Sequence, residues 1–113
     1  MIRSGRPGRR VAAIAATLHS WTGPSPAADQ LRDLLDDAGA RSVSTWANDA
    51  GFRYDWHSHG YHKVLFCVSG SIVFHTRDGD LALGPGDRLD VEPGTDHAAT
   101  VGPDGVRCIE GSR

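Results

Sequence analysis

Apolar residues follow two different spacings along this chain, and the change between them falls near residue 40. Before that point, apolar positions recur every three or four residues over 26–38, as they do on one face of a helix. Ser25, which precedes a proline, is typical of a helix start, and Gly39 is typical of a helix end. The spacing predicts one helix that packs on the outside of a sheet. Its apolar stripe consists of Leu31, Leu34, Leu35 and Ala38.

Beyond residue 40, short runs of β-branched and aromatic residues are separated by the turn-forming residues Gly, Pro, Asp and Asn. The predicted turns include Ser69-Gly70 and residues 102–105. Short strands joined by tight turns favour a sandwich or a small barrel over a parallel α/β sheet. The sequence therefore predicts an all-β fold with one short helix outside it. The predicted strands cover residues 43–47, 52–59, 63–68, 72–76, 81–83, 88–91, 97–101 and 106–110.

Length and charge limit the organisation of the chain and its partners. The 113 residues are enough for one domain. Residues 1–20 lack an apolar pattern long enough to dock firmly, so we expect a flexible tail followed by a single domain over 21–113. Twelve basic and fourteen acidic residues give a net charge of −2, which offers no general field for nucleic acid or an acidic membrane. We expect neither as a partner.

The two cysteines, Cys67 and Cys108, do not form a CxxC pair and are too few for a disulfide scaffold. We expect both to be reduced and buried. The apolar run over 11–16 is only six residues and mostly alanine, which is shorter than the core of a secretion signal. The expected location is therefore the cytoplasm.

Histidines are concentrated in the segment 51–70. His57 and His59 are two positions apart, so on a strand both imidazoles point to the same side. Two neutral imidazoles that converge on one point suit a borderline transition metal. The alternative is that both are solvent-facing polar residues on a half-buried strand.

The same segment resembles the first motif of the cupins, which reads Gly, five residues, His-x-His, three or four residues, Glu, six residues, Gly. Gly51, His57, His59 and Gly70 match it in identity and spacing, and Lys63 stands at the glutamate position.

A second segment resembles the other cupin motif, which reads Gly, five residues, Pro-x-Gly, two residues, His, three residues, Asn. Gly86, Gly94 and His97 fit this pattern, whereas Glu92 replaces the proline and Val101 the asparagine.

The resemblance implies a double-stranded β-helix, or jelly roll, with a metal inside it. Carried over position by position, the ligands would be His57, His59 and His97, and the metal a divalent iron, manganese, nickel or zinc ion. Three nitrogens on one side of a metal leave positions open for water or substrate.

Lys63 is the main departure from the family pattern, because a protonated ammonium has no lone pair for a metal and is repelled by a dication. Three arrangements are open. Lys63 turns outward from a three-histidine site, His62 swings in as a fourth ligand, or Lys63 replaces the metal's charge and the barrel holds an anionic organic ligand. Tyr61 and Lys63 are also candidates for lining the pocket, and Lys63→Glu is expected to strengthen metal uptake.

Other polar residues are weaker candidates. Arg53 and Asp55 share the predicted facing of His57, and the carboxylate of Asp55 either orients a ligand histidine or is a surface charge. His75 is expected to be a partly buried polar residue rather than a ligand.

Two functions follow from these expectations. The first is a metal-dependent enzyme with dioxygenase, isomerase or lyase chemistry on a small polar molecule. The second is a non-catalytic module that binds or senses a small molecule, which the lysine at position 63 favours. A third, structural interpretation is a barrel that simply dimerises, in which the histidines are incidental. Apolar surface on one face of the strand over 52–59, formed by Phe52, Tyr54 and Trp56, predicts a homodimer under any of the three interpretations.

Overall fold

The structure is a computed structural model and describes residues 15–113. In this part of the chain seven strands form one antiparallel sheet and a single helix packs against it. The predicted all-β class with one helix is confirmed. The elements are β1 (Ala16–His19), α1 (Ala28–Asp37), β2 (Arg41–Asn48), β3 (Arg53–His57), β4 (Lys63–Thr76), β5 (Gly79–Leu83), β6 (Arg88–Val91) and β7 (His97–Ser112).

Two long strands form the centre of the fold. β4 has 14 residues and β7 has 16, and they pair from Lys63 opposite Ser112 to Thr76 opposite His97. β6 and β5 pair with successive halves of β4, while β2 and β3 pair with opposite halves of β7. β1 adds to the free side of β6, which gives the order β1-β6-β4-β7-β2. Because each of these two long strands pairs with different strands along its two halves, β4 and β7 connect the two ends of the domain.

The two predicted turns at 69–70 and 102–105 lie inside β4 and β7 instead of ending strands. The register shifts on either side of Ser69 and Gly70, as at a β-bulge. Gly70 has a φ of 76°, and a Cβ at this position would overlap the carbonyl oxygen of Gly105. These glycines allow two backbones to approach closely, so a turn-like composition here marks a bulge rather than a chain reversal.

The inner face of the sheet encloses the main apolar core. Cys67 on β4 lies directly opposite Cys108 on β7, and both are buried and free, which confirms their predicted burial. Apolar residues of four strands surround them, and Ala16 and Leu18 of β1 pack against the edge of this cluster. The remaining buried members are Leu65, Ile72, Phe74, Leu83, Leu89, Val91, Ala99, Val101 and Val106.

Helix α1 covers the outer face of the sheet, as predicted. Leu31 and Leu35 are fully buried against side chains of β4 and β7, namely Val64, Phe66 and Ile109. The alternation along β4 follows from this, because residues that face the helix alternate with residues that face the inner core. Residues 15–113 include no helix with the length and apolar content that crossing a bilayer requires.

The helix begins later than the predicted start at residue 26. Ala27 is the N-cap and makes no side-chain capping bond, and Ser25 is exposed. Pro26 is buried beside Gly86 and Trp21, so it contributes to packing below the helix instead of opening it. Gly39 ends the helix with a φ of 79°, as its position predicts.

The predicted tail over 1–20 differs from the structure in its last part. Residues 1–14 lie outside the described residues. Ala16–His19 form β1, which pairs with β6, and the backbone N–H of Trp21 donates to Asp87 at 2.8 Å. Four residues are too few to show a strand period in a sequence, so pairing with β6 decides their conformation.

Candidate metal centre

Pairing of β3 with β7 brings the two remote histidine segments together. His57 lies directly opposite His97 in the register, and their ring centroids are 4.3 Å apart. His59 lies just beyond the end of β3, with its ring 4.9 Å from that of His57 and 5.1 Å from that of His97. One ring nitrogen from each histidine lies within 4.8 Å of the other two. Pairing of β3 with β7, together with the residues just after β3, thus brings together the three imidazoles that the sequence motifs indicate.

Backbone carbonyls fix the tautomers of two of these rings. The carbonyl oxygen of Asp55 lies 2.7 Å from Nδ1 of His57, and that of Thr95 lies 2.9 Å from Nδ1 of His97. A carbonyl can only accept, so each Nδ1 carries the proton and donates it. The neutral form of each ring presents the lone pair of Nε2, as metal-binding histidines do. Asp55 orients His57 through its backbone, and its side chain is exposed.

Two of the ring nitrogens are buried without a partner. Among the side chains of residues 15–113, Nε2 of His59 and Nε2 of His97 are the buried polar atoms that make no hydrogen bond. An unsatisfied buried polar group costs about 1–3 kcal/mol. A divalent metal bound to these lone pairs would remove that cost, so the donor set fits a metal that accepts three imidazoles.

Burial favours the neutral form of His59 and of His97. Burial, together with the nearby charge of Lys63, lowers the pKa of His59 to about 4. The pKa of His97 is also lowered, mainly by burial. Neither ring carries a second proton at neutral pH, so a metal would not have to displace one.

A cavity of about 220 Å³ adjoins the histidines. This volume is small, so the cavity suits a small molecule rather than a chain segment. Its walls are largely aromatic, with a few polar groups between them, as in many small-molecule sites. The lining residues are Trp46, Tyr54, His57, Lys63, Phe74, His97, Ala99 and Glu110.

Lys63 faces this cavity, so the arrangement in which it turns outward is wrong. Its neighbour Val64 packs under the helix, and strand alternation therefore turns Lys63 inward. Its ammonium lies 3.4 Å from Oε2 of Glu110, and the side chain is only 12% exposed. Oε1 of Glu110 accepts a 2.7 Å hydrogen bond from the indole of Trp46. A lysine–glutamate pair thus stands beside the histidines.

His62 lies apart from the other three histidines. Its Nε2 is 3.0 Å from the carboxylate of Asp90, and its Nδ1 is 3.5 Å from that of Glu92. Asp90 alternates with the core residues Leu89 and Val91, so it faces outward. Its contact with His62 therefore places that ring on the outer face as well. A role for His62 as a fourth metal ligand stays a prediction that these contacts do not favour.

Tyr61 and His75 border the site without entering it. Tyr61 stacks on His59 with ring centroids 5.0 Å apart and lines a neighbouring pocket that shares Glu110 with the cavity. The ring of His75 bonds Asp80 at 2.8 Å and Thr100 at 2.9 Å. These partners use both of its nitrogens, in agreement with the expected polar role.

Sequence reasoning missed Tyr54 and Glu110 as cavity residues. A bulge between Tyr54 and His57 turns both side chains to the cavity although they are three positions apart, and it leaves Arg53 exposed. Nothing in the sequence marks this bulge. Glu110 was open to prediction, because it lies two residues after the buried Cys108 and shares its face.

Comparison with models of known protein families shows which family the chain belongs to. Residues 42–108, more than half of the chain, match the model of the AraC-like ligand binding domain. This chain belongs to the AraC-like ligand binding domain family. This family has a cupin-type fold, so the AraC-like domain described here is a small cupin, in agreement with its two motifs. Among curated proteins, none matches it.

Solved structures place the AraC-like domain among the double-stranded β-helices. A protein of the duf861 family from Thermotoga maritima aligns with a TM-score of 0.62 and 14% identity, covering 88% of this chain and all of its own length. An RmlC-like cupin from Shewanella frigidimarina NCIMB 400 aligns with a TM-score of 0.57 and 26% identity, covering 62% of each chain.

A third similar structure is a chain from the crystal structures of the DMSP lyases RdDddP and RnDddQII. It aligns with the AraC-like domain at a TM-score of 0.55 and 32% identity. The alignment covers 63% of this chain but only 36% of the lyase chain. The alignment therefore spans about a third of the lyase chain.

Proposed function

We propose that this cupin binds a divalent transition metal through His57, His59 and His97 and acts on a small polar molecule in the adjoining cavity. Iron, manganese, nickel and zinc all suit three imidazole donors. The observation that carries the proposal is the pair of buried Nε2 atoms that have no hydrogen-bond partner and lie beside a third imidazole.

The residues around the histidines suit dioxygenase, isomerase or lyase chemistry. A metal at this site would supply Lewis-acid polarisation of a bound oxygen. Trp46 and Phe74 give the cavity apolar walls, and the backbone carbonyls described above hold the ligand rings. The groups on the cavity wall that can exchange a proton with a bound molecule are Lys63, Glu110 and Tyr54. The 32% identity to a chain from DMSP lyase structures supports keeping lyase chemistry among the three reaction types.

The alternative function is a non-catalytic domain that binds or senses a small molecule. Two observations favour it: the family is described as a ligand binding domain, and Lys63 already pairs with Glu110 instead of leaving a carboxylate free to act as a base. Tight binding of a small molecule that survives chelation of the metal would support this function over the first.

Metal analysis of protein purified without an affinity tag tests the proposed site. We expect close to one metal per chain after reconstitution with the metal and exchange into metal-free buffer, measured by inductively coupled plasma mass spectrometry. His57→Ala and His97→Ala should abolish uptake, because two imidazoles rarely hold such a metal. His75→Ala is the matched control, since His75 bonds Asp80 and Thr100 outside the site. Less than about a tenth of a metal per chain, with no binding on reconstitution, would exclude the proposed site.

A homodimer and a cytoplasmic location are also part of the proposal. Phe52 is 46% exposed and Trp56 is 44% exposed, and such aromatic surface supports association. Tyr54 does not add to this surface, because the bulge turns it into the cavity.

A further inference from the structure

We propose that the molecule bound in this cavity is a small carboxylic acid in its ionised form and that Lys63 is the cation that recognises its carboxylate. The inference deepens the proposed function and depends on it in one respect, namely that the bound molecule also lies beside the histidines.

Lys63 is placed for this role by its position and its burial. It stands on the wall that it shares with His57 and His97, and only 12% of its side chain is exposed. A charged group so far removed from water needs an anion nearby, because its hydration is largely lost. The ammonium therefore favours an anionic occupant of the cavity over a neutral or cationic one.

Glu110 meets this need only in part. The distance of 3.4 Å between its Oε2 and the ammonium of Lys63 exceeds the 2.7–2.9 Å that is usual for a strong charge-assisted bond. Trp46 holds the other oxygen of Glu110 at 2.7 Å, which restrains the carboxylate from moving closer. An ammonium has three N–H donors, so Lys63 retains donors for a second carboxylate.

Charge balance points the same way. Lys63 and Glu110 together sum to zero, and the three imidazoles are neutral ligands, so a divalent metal leaves the site with two uncompensated positive charges. An anion in the cavity lowers this charge, and its attraction to the largely buried Lys63 is stronger than the same attraction in bulk water. The volume of about 220 Å³ accommodates a molecule with few heavy atoms, such as a short hydroxy acid.

Binding of lactate by the zinc-loaded protein, with lactamide as the neutral analogue, tests the inference. The indole N–H resonance of Trp46 is the reporter in NMR titrations, because this group donates to the partner of Lys63. We expect lactate to bind more tightly than lactamide. Lys63→Met should weaken lactate binding by about tenfold or more while zinc content stays unchanged, since a charge-assisted bond is lost. Lys63→Arg should restore part of the affinity.

Two further variants sharpen the test. Arg107→Met is the control, because Arg107 is an exposed cation on β7 that does not line the cavity. Glu110→Gln keeps an acceptor for Trp46 but removes the competing negative charge, so it should tighten lactate binding. Unchanged lactate affinity in Lys63→Met overturns the inference. If that variant does not fold, failure of Glu110→Gln to tighten binding overturns it instead.

The outcome for the metal is read separately. If the wild-type protein binds none of zinc, iron, manganese and nickel, the proposed metal site fails, and the same titrations on metal-free protein then decide the role of Lys63. Zinc binding together with equal affinities for lactate and lactamide would leave the metal site standing and exclude the carboxylate.

Discussion

At the scale of single residues, the site depends on which way a few side chains point. His57, His59 and His97 follow from motif spacing, and the structure brings their rings together. The inward orientation of Lys63 was also open to prediction, because Val64 belongs to an apolar run that must face one layer of the core. The orientation of Tyr54 could not be predicted, since a bulge of one residue reverses the facing that simple alternation predicts.

Lys63→Glu tests how the charge at this position controls metal affinity. It replaces a cation on the cavity wall with a carboxylate, so we expect tighter metal binding, by about tenfold, from the gain of a charged partner. The metal-free variant should be less stable than the metal-free wild type. In the wild type Glu110 pairs with Lys63 at 3.4 Å, whereas in the variant its carboxylate faces a second carboxylate. Competition with a chelator measures the affinity, and thermal unfolding with and without metal measures the stability. Weaker metal binding in this variant would show that Lys63 has a different role.

At the scale of elements, local signals predict the strands that have clear ends. The bounds of β6 are those expected, because a turn rich in Gly and Pro precedes it and Pro93-Gly94 follows it. β4 and β7 were each predicted as two strands, since glycines at bulges and glycines at turns look alike in a single sequence. Tertiary pairing, rather than local composition, makes each of them continuous.

Asp90 on β6 links this strand to β1 and to the segment just before β4 on the outer face. Its carboxylate accepts two bonds from Arg88, at 2.9 and 3.1 Å, and lies 3.0 Å from His62 and 3.2 Å from His19 of β1. Burial alone would raise the pKa of Asp90, but the hydrogen bonds from Arg88 and His62 outweigh burial and lower it below 3.8. The fold is therefore stabilised fully above that pH, and this stabilisation is lost as the pH falls through the lowered pKa.

Asp90→Asn should reduce the free energy of unfolding at pH 7 by about 1–3 kcal/mol, because charged bonds between elements are lost. The difference between variant and wild type should shrink as the pH is lowered from 5 to 2, since the wild-type carboxylate then becomes protonated. Urea unfolding at several pH values measures both effects. The control is Asp104→Asn at an exposed position. A difference that does not change with pH would show that packing, and not charge, gives Asp90 its effect.

At the scale of the whole molecule, the two faces of the sheet have separate tasks. The outer face carries helix α1 on Leu31 and Leu35, and the inner face carries the core and the histidines. The family was open to prediction from two motifs, because they fix backbone turns and ligand positions that the barrel requires. The identity of the bound molecule could not be predicted, since the cavity wall consists of residues from four strands whose facing depends on bulges.

The predicted homodimer belongs to this scale. Trp56 on β3 and Phe52 just before this strand provide exposed aromatic surface. The guanidinium of Arg77 lies 3.8 Å above the ring of Trp56. We expect sedimentation equilibrium to give twice the chain mass, and Phe52→Ser together with Trp56→Ser to shift the protein toward monomer. Removal of large apolar contacts from an interface weakens it strongly. A wild-type protein that sediments as a monomer at high concentration would contradict the expectation.

The direct opposition of His57 and His97 makes metal capture a check on correct strand alignment. A slip of one residue between β3 and β7 would send one imidazole to the far side of the sheet. Misaligned chains would then lack a complete donor set and stay metal-free, whereas aligned chains would be held in place by the ion. If cobalt is present during refolding, the colour that develops when it binds would therefore measure the number of molecules in which β3 and β7 are correctly aligned.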